Sequence, residues 1–498
     1  MNTPEDVSGV SEEQSMQLVT AIKDYQLTHG NLIKWVQSEG VTRVPSVGVG
    51  VSALPTPFPR SLFDEAWQLQ ASMNELYVRI ASDEDWLYGV LKPLFDHDDF
   101  LAALWDVHVT VKTAGVAQDI VCGIFRSDYM LHQPSTRESV SLKQVEVNTL
   151  CVAGACHAER VAGMHRHLQR KRDVRKPAEE QGAERLPVND NIEQLVITLC
   201  KAHDAYTASP FVQRCVLMIV QAHNFNVADE RPIEYGLWDS GIPCYRCEWQ
   251  EVLQRTTLTA SRKLLYRVNE AGVQAELEVS VVYYRAGYTA DEYTEHEGRE
   301  TRLRLELSCA IKCPDVLTHL TTFKAVQQAL TEEGAVERFL SADDAHRVRA
   351  TFMPIVKVDK VAEGQLFREI ATDPRQASHF VLKPNLEGGG NNVYGTKIPD
   401  FLASIPDEQW SKYILMRLIV PPGDTSGVLM MMEELYEGPV ISELGVLGSV
   451  VWKKEEGSEV EVVRNVAAGW TFKTKPSHVD EMNVVKGYGC FDCPKLAA

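Results

Sequence analysis

One segment constrains the fold of this chain more than any other, and it reads His379-Phe-Val-Leu-Lys-Pro-Asn-Leu-Glu-Gly-Gly-Gly-Asn-Asn-Val-Tyr-Gly395. Its first four residues form an apolar run that predicts a short buried strand, and the proline after Lys383 ends that run, so Lys383 is expected at the strand's C-terminal edge. The three glycines at 388–390 lack Cβ atoms and can bring backbone N–H groups against phosphate oxygens. Glu387 adds a carboxylate oxygen of the kind that Mg²⁺ prefers. The segment therefore predicts a site for a nucleoside triphosphate and a metal ion.

The segment differs from the common phosphate-binding loops. Its lysine precedes the glycines and no serine or threonine follows that lysine, which excludes GxxxxGK[ST], and the GxGxxG spacing is also absent. The alternative is a glycine-rich surface turn that binds nothing.

Length and charge exclude several classes of protein. The 498 residues predict about three domain-sized units, and 44% apolar with 24% charged residues is typical of a globular protein. A formal net charge of −19 argues against nonspecific nucleic-acid binding, because phosphate backbones are held by clustered lysine and arginine. The acidic start has no stretch typical of a signal peptide, and no segment has the length of a membrane span. A cytoplasmic location is therefore expected.

Eleven cysteines are scattered along the chain, which indicates reduced thiols rather than a disulfide framework. Cys244 and Cys247 form one CxxC pair, and Cys490 and Cys493 form another. Together they could bind zinc, but they lie far beyond the usual spacing of zinc ligands, so buried or incidental thiols are the better interpretation.

The apolar patterns predict a largely helical first hundred residues followed by mixed strands and helices, which is typical of an α/β or α+β enzyme. The predicted helices are Ser11 to Leu27, Ser61 to Ile80 and Trp86 to Leu104. The predicted strands are Asp119 to Phe125, Lys143 to Asn148, Cys215 to Gln221, Leu277 to Tyr284, His379 to Leu382, Tyr413 to Ile419 and Val440 to Leu444.

The strand from Lys143 to Asn148 alternates polar and apolar residues, so Glu146 and Asn148 should share one face. With Glu387 they would form a cluster of oxygen ligands for Mg²⁺ ions that bridge nucleotide phosphates. The alternative is a half-buried strand whose polar side meets solvent.

Further charged residues stand at the ends of predicted strands. Glu443 ends an apolar run and could accept from a nucleotide or bind a metal. Arg126 and Arg285 follow strand-like runs, where guanidinium groups can clamp carboxylates or phosphates. Lys312, Lys473 and Lys475 add cations, although each alone is more often a surface lysine.

Several motifs in colinear order resemble eukaryotic glutathione synthetases, and the resemblance runs from about residue 15 to the C-terminus. They are Arg126-Ser-Asp-Tyr-Met130, Glu146-Val-Asn-Thr149, Tyr284-Arg-Ala-Gly-Tyr288, Lys312-Cys-Pro-Asp315, the glycine segment from Lys383 to Gly395, Tyr413-Ile-Leu-Met416 and Ile441-Ser-Glu-Leu-Gly445.

The resemblance implies an α+β, ATP-grasp fold in which the nucleotide lies between two antiparallel sheets, with a helical N-terminal part and an inserted α/β substrate-binding domain. It also implies a homodimer. The implied division of the chain is an N-terminal tail (1–12), the first part of the ATP-grasp body (13–212), the substrate-binding domain (213–315) and the catalytic part (316–498) with a glycine-motif lid (383–395) and a C-terminal lid loop (473–489).

The implied reaction joins γ-glutamylcysteine to glycine. ATP phosphorylates the cysteinyl carboxylate, glycine's amine attacks the acyl phosphate, and glutathione, ADP and phosphate result, with Mg²⁺ as cofactor. Phosphorylation is needed because a carboxylate is a poor electrophile, and the meeting of two anions requires Mg²⁺ and cationic side chains.

The resemblance also implies roles for individual residues. The implied metal ligands are Glu146, Asn148 and Glu387. The implied ATP contacts are Lys312, Lys383, Glu387, Gly388, Gly389, Gly390, Asn392, Tyr394, Met416, Ile419, Glu443, Lys475 and Glu481. The implied substrate contacts are Arg126, Cys151, Ala153, Asn224, Asn226, Glu230, Arg285, Tyr288, Lys473, Val484 and Val485, of which Arg126 and Lys473 are the catalytic pair.

Some positions depart from the family pattern. Cys151 and Ala153 stand where serines are common, and Asn224 and Glu230 stand where glutamate and glutamine are common. Lys473 replaces an arginine, and an ammonium cannot form a two-pronged carboxylate clamp. Two alternatives follow: a ligase of this fold that uses another amine such as β-alanine, and a non-catalytic nucleotide-binding protein.

Overall fold

The computed structural model describes residues 12–34, 45–173, 186–207, 213–222, 224–270, 272–294, 297–358, 367, 369–370, 372–385, 391–431, 434–454 and 459–497. The predicted metal ligand Glu387 and the predicted phosphate-binding Gly388, Gly389 and Gly390 lie outside these residues, as does almost all of the predicted tail.

The described helices are α1 (Glu12–His29), α2 (Arg60–Ser82), α3 (Glu84–Leu91), α4 (Asp99–Ala114), α5 (Ala155–Asp173), α6 (Asn191–Ala205), α7 (Val227–Asp239), α8 (Val252–Arg255), α9 (Ala290–Thr294), α10 (Gly298–Leu307), α11 (Val316–Leu320), α12 (Lys324–Leu330), α13 (Ala342–Ala350), α14 (Pro374–Ala377) and α15 (Ile398–Ser404). Short 3₁₀ turns occur at Lys92–Leu94, Trp249–Glu251, Gly395–Lys397 and Asp407–Lys412. No helix of this described part is long and apolar enough to cross a membrane.

The described strands are β1 (Leu32–Lys34), β2 (Ser46–Gly48), β3 (Val51–Ser52), β4 (Thr56–Pro59), β5 (Ile120–His132), β6 (Ser141–Asn148), β7 (Arg214–Val220), β8 (Cys244–Glu248), β9 (Thr256–Leu258), β10 (Leu264–Glu270), β11 (Val273–Tyr284), β12 (Ile311–Cys313), β13 (Ile355–Lys357), β14 (Phe380–Pro384), β15 (Val393–Tyr394), β16 (Tyr413–Arg417), β17 (Ser426–Met431), β18 (Glu434–Lys454), β19 (Val460–Pro476), β20 (Cys490–Phe491) and β21 (Pro494–Ala497).

Thirteen of these strands form one mixed sheet. Its centre is antiparallel, where the long strand β18 pairs with β19 on one side and with β5 on the other, and β6 pairs with β5. Beyond β5 the pairing becomes parallel, through β12, β11, β7 and β8. The large sheet is therefore antiparallel beside the predicted nucleotide site and largely parallel in the predicted substrate-binding region.

Helices pack against both faces of the large sheet at β18, and this strand is therefore buried on both sides. Val450 and Trp452 face the helices α2, α4, α11 and α12, whereas Leu447 and Val451 face α6. Alternation of side chains along a strand assigns successive residues to opposite faces, which explains why this strand has almost no polar positions at its centre.

A second sheet of four antiparallel strands has the order β13-β16-β14-β15. Its own small core includes Phe367, Ile370, Leu382, Ile398 and Leu415. Lys383 on β14 donates to the backbone carbonyl of Val145 on β6 at 2.9 Å, so the small sheet contacts the large one across a cleft.

The predicted strands are all present, with different limits. The run from Val440 to Leu444 is part of the 21-residue strand β18, and the run from Asp119 extends through Arg126 to His132. The helix predicted from Trp86 to Leu104 is wrong, since it is divided into α3 and α4. Pro93 cannot continue the hydrogen-bond pattern of α3, and Asp98 starts α4 by accepting from the backbone N–H of Leu101 at 3.0 Å.

All eleven cysteines carry free thiols. Both CxxC pairs are buried, Cys244 and Cys247 on β8 and Cys490 and Cys493 at the C-terminal strands. No group of three or more potential metal-binding His, Cys, Asp or Glu side chains is found in the described part of the chain.

Candidate active site

A cavity of about 1080 Å³ lies in the cleft between the two sheets. Its walls come from the strands β5, β6, β18 and β19 of the large sheet, from β14 and β16 of the small sheet, and from the loop after β19. Of the residues that we predicted, it brings together Arg126, Glu146, Asn148, Cys151, Ala153, Asn226, Glu230, Arg285, Tyr288, Lys383, Asn392, Tyr394, Met416, Ile419, Glu443, Lys473, Lys475, Glu481, Val484 and Val485.

The strands β5 and β6 supply the acidic edge of the cavity. Glu146 and Asn148 project from one face of β6, as their spacing predicts, and the Nδ2 of Asn148 donates to Glu146 Oε1 at 3.3 Å. The same Nδ2 donates to Asp128 Oδ2 on β5 at 3.0 Å. Because both contacts are made by the amide nitrogen, the amide oxygen of Asn148 is left to accept from or coordinate another group.

Two lysines face this acidic edge. Lys324, the first residue of α12, lies 3.1 Å from Glu146, and Lys383 approaches from β14 on the other side of the cleft. Burial would raise the pKa of Glu146, but Lys324, Lys383 and Arg126 outweigh it and hold that pKa below its ordinary value. Burial lowers the pKa of Lys383, and the charge of Glu146 opposes this effect. Glu146 is therefore an ionised carboxylate at neutral pH.

A second group of charges lies on the hairpin of β18 and β19. Glu443 and Lys473 are cross-strand neighbours, and Lys473 Nζ lies 2.5 Å from Glu443 Oε1. Two residues further on, Lys475 Nζ donates to the backbone carbonyls of Val479 and, at 3.3 Å, Asp480. Burial lowers the pKa of Lys475. The hairpin thus presents two cations and one carboxylate to the cavity.

The far end of the cavity is formed by the parallel part of the large sheet. Arg285 directly follows β11, is buried, and lies 2.9 Å from Asp229 and 3.5 Å from Glu230. Glu230 also accepts from Arg246 at 2.5 Å and from Asn224 Nδ2 at 2.6 Å. Asn224 itself is not among the described residues that line the cavity. This end therefore combines the cavity-lining guanidinium group of Arg285 with the buried carboxylates of Asp229 and Glu230.

The segment after β6 crosses between the two ends. Cys151 has a φ of +50° and places its Sγ 3.7 Å from the carbonyl oxygen of Ala286. Burial raises the pKa of this thiol well above its ordinary value, so the thiol is protonated at neutral pH. The carbonyl oxygen of Ala153 accepts from Arg126 Nη1 at 3.0 Å. Burial also raises the pKa of the Tyr288 hydroxyl, which remains a neutral donor.

The loop after β19 meets the small sheet over the cavity. The backbone N–H of Asn392 donates to Glu481 Oε1 at 2.9 Å, and Lys397 lies 3.1 Å from Asp480. Asn392 Nδ2 also contacts the Tyr394 hydroxyl at 3.4 Å. The side chain of Val484, from the same loop, is buried. The predicted C-terminal lid is therefore joined to the segment that follows the glycine motif.

Besides Asn224, a second predicted site residue does not line the described part of the cavity. Lys312 is on β12 and is not among the described residues that line the cavity. Its ammonium donates to the backbone carbonyls of Ser308 at 2.9 Å and Glu306 at 3.4 Å. β12 is an interior strand between β5 and β11, and Lys312 is buried there. Its role as an ATP contact stays a prediction.

Lys324 is a cavity-lining cation that the sequence analysis missed. Its local sequence, Thr-Thr-Phe-Lys, has no glycine or acidic residue to mark it. Only the short helix α11 separates Lys324 from the motif Lys312-Cys-Pro-Asp315. Its closeness to that motif is the sequence signal that could have identified it.

The described donors fit a divalent cation. The ionised Glu146 and the amide oxygen of Asn148 are adjacent hard oxygen donors, and both face the cavity in which Lys383 and Lys475 could hold phosphate. These two residues would hold Mg²⁺ together with ligands from the nucleotide.

The chain matches the sequence family described as eukaryotic glutathione synthase, ATP-binding domain, over residues 12–496. It is 31% identical to the glutathione synthetase large chain of Schizosaccharomyces pombe over 513 aligned positions, which cover 99% of this chain and 100% of that protein. It is 32% identical to the human glutathione synthetase, with 97% of each chain covered. Its fold is similar to a glutathione synthetase-like effector of Globodera pallida in the apo form, with a TM-score of 0.73, 20% identity, and coverage of 99% of this chain and 100% of that one.

Proposed function

This chain belongs to the eukaryotic glutathione synthetase family, and on that premise we propose that it joins γ-glutamylcysteine to glycine at the expense of ATP. It is an ATP-dependent ligase with an ATP-grasp fold. The observation that carries the site assignment is the meeting of Glu146 and Asn148 with Lys324 and Lys383 across the cleft between the two sheets.

The reaction explains why the cleft holds so many cations. Transfer of the γ-phosphoryl group to a carboxylate brings two anions together, and the charge that accumulates must be neutralised in a site with little water. Lys324, Lys383 and Lys475 line the cavity and would hold the phosphates. Arg126 would hold the carboxylate that is phosphorylated, since it lines the cavity and donates to the carbonyl of Ala153.

Mg²⁺ held by Glu146 and Asn148 would neutralise the nucleotide's phosphates when bound. Glu387 is retained in this proposal as a third ligand from the predicted glycine-motif lid. No protein nucleophile is required, since the amine of the acceptor attacks the acyl phosphate. The protonated thiol of Cys151 is consistent with a bystander role for the enzyme's cysteines.

The dipeptide's glutamyl end would lie in the region of Arg285, Asn226, Glu230 and Tyr288. A free amino acid end carries both a carboxylate and an ammonium group, and this region offers the guanidinium group of Arg285 beside the carboxylate of Glu230. Asn224 positions Glu230 by its hydrogen bond.

The nucleotide would lie against β16 and the loop after β19. Met416 and Ile419 supply an apolar wall for the base, and Glu443, Asn392, Tyr394 and Glu481 supply polar groups around it. Val484 and Val485 would close over the acceptor amine. The division of the chain at residues 212 and 315, and assembly as a homodimer, complete the proposal.

One experiment tests the activity and the acceptor together. The purified protein is incubated with ATP, Mg²⁺ and γ-glutamylcysteine and an equimolar mixture of glycine and β-alanine, and the products are identified by mass spectrometry. We expect glutathione as the main product, with phosphate release that requires both the dipeptide and the acceptor. A dominant β-alanine product would contradict the glycine assignment, and phosphate release independent of both substrates would contradict the ligase activity.

A further inference from the structure

Asp128 lies on β5 beside the cavity-lining residues Arg126 and Asn148. The reaction described above assigns Asp128 no role. Its side chain is only 1% exposed, and it is not among the described residues that line the cavity. It accepts from three nitrogen atoms of two cavity residues, Arg126 and Asn148. A buried carboxylate with this set of partners acts on the site through its neighbours.

The first neighbour is Arg126. Its Nε donates to Asp128 Oδ1 at 2.7 Å and its Nη2 donates to Oδ2 at 2.8 Å, which is a two-pronged pair. Nη1 donates to the carbonyl of Ala153 at 3.0 Å. A guanidinium group has five N–H donors, so these contacts fix its plane and leave two N–H groups for a ligand in the cavity.

The second neighbour is Asn148. An amide side chain can present either its oxygen or its nitrogen to the cavity, and only the oxygen can bind a cation. Asp128 Oδ2 accepts from Asn148 Nδ2 at 3.0 Å, and this contact selects the orientation in which the amide nitrogen faces Asp128. The amide oxygen is thereby directed away from both carboxylates.

The strand register makes room for this arrangement. Asp128 is opposite Glu146 on β6 and opposite Gly445 on β18. A Cβ added at Gly445 would collide with Asp128 Oδ1 and with Thr471 Oγ1, and it would lie 2.9 Å from Arg126 Cδ. A side chain at position 445 would therefore force the Arg126–Asp128 pair or Thr471 to shift.

We propose that Asp128 is a positioning residue that holds Arg126 for the substrate carboxylate and orients the amide oxygen of Asn148 toward the metal ion. It rests on the proposed function, in which Arg126 and Asn148 contact the reacting groups. One carboxylate would thus couple the geometry of the metal site to that of the substrate site.

The test is Asp128→Asn in the full-length protein, which keeps the shape of the side chain but introduces an NH₂ group that cannot accept. Binding of Mn²⁺ in the presence of a non-hydrolysable ATP analogue is measured by electron paramagnetic resonance, and γ-glutamylcysteine binding by calorimetry. We expect Mn²⁺ binding to weaken about 10- to 100-fold, as is typical when a partner of a metal ligand is lost. Dipeptide binding and kcat should fall as well.

The matched control is Asp83→Asn, because Asp83 also pairs with an arginine, Arg338 at 2.6 Å, away from the cavity. It should leave Mn²⁺ and dipeptide binding unchanged. Unaltered Mn²⁺ and dipeptide binding in Asp128→Asn, with only a lower melting temperature, would overturn the proposal and make Asp128 a purely structural residue.

If Asp128→Asn does not fold, Gly445→Ala disturbs the same pair without removing a charge, and wild-type Mn²⁺ binding in that folded variant would equally overturn the proposal. The Mn²⁺ measurement requires no turnover, so it tests the positioning role of Asp128 separately from the proposed ligase activity. A wild-type protein that binds Mn²⁺ and nucleotide but makes no glutathione contradicts the proposed function alone.

Discussion

Lys312 and Lys324 are twelve positions apart and both are buried, yet their ammonium groups contact different partners. Lys312 Nζ is satisfied by the backbone carbonyls that end α10, where burial lowers its pKa and Glu306 and Asp315 oppose that effect. Lys324 Nζ faces Glu146 at 3.1 Å in the cleft. A buried ammonium requires partners, and those of the two lysines differ: backbone carbonyls for Lys312 and a cavity-lining carboxylate for Lys324.

The two lysines provide a matched pair of variants. Lys324→Met should lower kcat by at least about 10²-fold and raise the KM for ATP, because it removes a cation from the site of phosphoryl transfer. Lys312→Met should lower the melting temperature and leave kcat of the folded enzyme within about twofold. Steady-state kinetics and thermal unfolding of both variants would show which lysine supports catalysis and which supports stability. A catalytic loss confined to Lys312→Met would instead support the ATP contact that the family resemblance implies for Lys312.

At the scale of elements, Asp492 joins strands from both ends of the chain. It is fully buried after β20 and accepts from Thr56 Oγ1 at 2.6 Å, from Thr474 Oγ1 at 2.7 Å and from Ser52 Oγ. These hydroxyls belong to β4, β19 and β3. Thr474 stands between Lys473 and Lys475, so Asp492 also fixes the strand that carries these two cations.

Replacement of Asp492 by alanine should therefore be strongly destabilising. Asp492→Ala leaves three buried hydroxyls without their acceptor, and each such group costs about 1–3 kcal/mol. We expect the free energy of unfolding to fall by about 3 kcal/mol or more. Urea unfolding followed by fluorescence would measure the change.

The control for this variant is Asp480→Ala. Asp480 pairs with Lys397, but the two side chains are 54% and 72% exposed, and exposed pairs contribute about 1 kcal/mol or less. Equal effects of the two substitutions would show that the Asp492 network is not what joins the strands.

At the scale of the whole molecule, several buried histidines link stability to pH. Burial lowers the pKa of His157 to about 4 and that of His165 to about 3, from an ordinary value of 6.5, and it lowers the pKa of His319 well below that value. Each imidazole is neutral in the folded state but takes up a proton near pH 6.5 in the unfolded chain. The unfolded state thus binds more protons below pH 6.5, and stability falls as the pH falls.

We expect the melting temperature to decline from about pH 6.5 toward pH 4, with part of that decline due to His165. His165→Gln should flatten the profile, because glutamine does not titrate. The exposed His346→Gln should keep the wild-type profile. Thermal unfolding at half-unit intervals between pH 4 and pH 7.5 measures the slopes, and identical slopes for all three proteins would exclude His165 as a contributor.

Local patterns predicted much of the site. The alternation of Lys143 to Asn148 assigned Glu146 and Asn148 to one face, and their amide–carboxylate contact at 3.3 Å confirms it. The same patterns underestimated β18, because its central glycines and continuous apolar run lack the alternation that marks a half-exposed strand. They also joined α3 to α4 across Pro93.

The sequence by itself determined the family, the mixed fold class and the motifs that carry charge to the ends of strands, since these depend on residue types at short spacing. Only the tertiary structure decided which cations share the cleft and which carboxylate orients Arg126 and Asn148. Lys383 is 238 positions from Val145, whose carbonyl it contacts, and Asp128 meets Gly445 only through the register of β5 and β18. Such contacts follow from the pairing of distant strands, which local spacing does not specify.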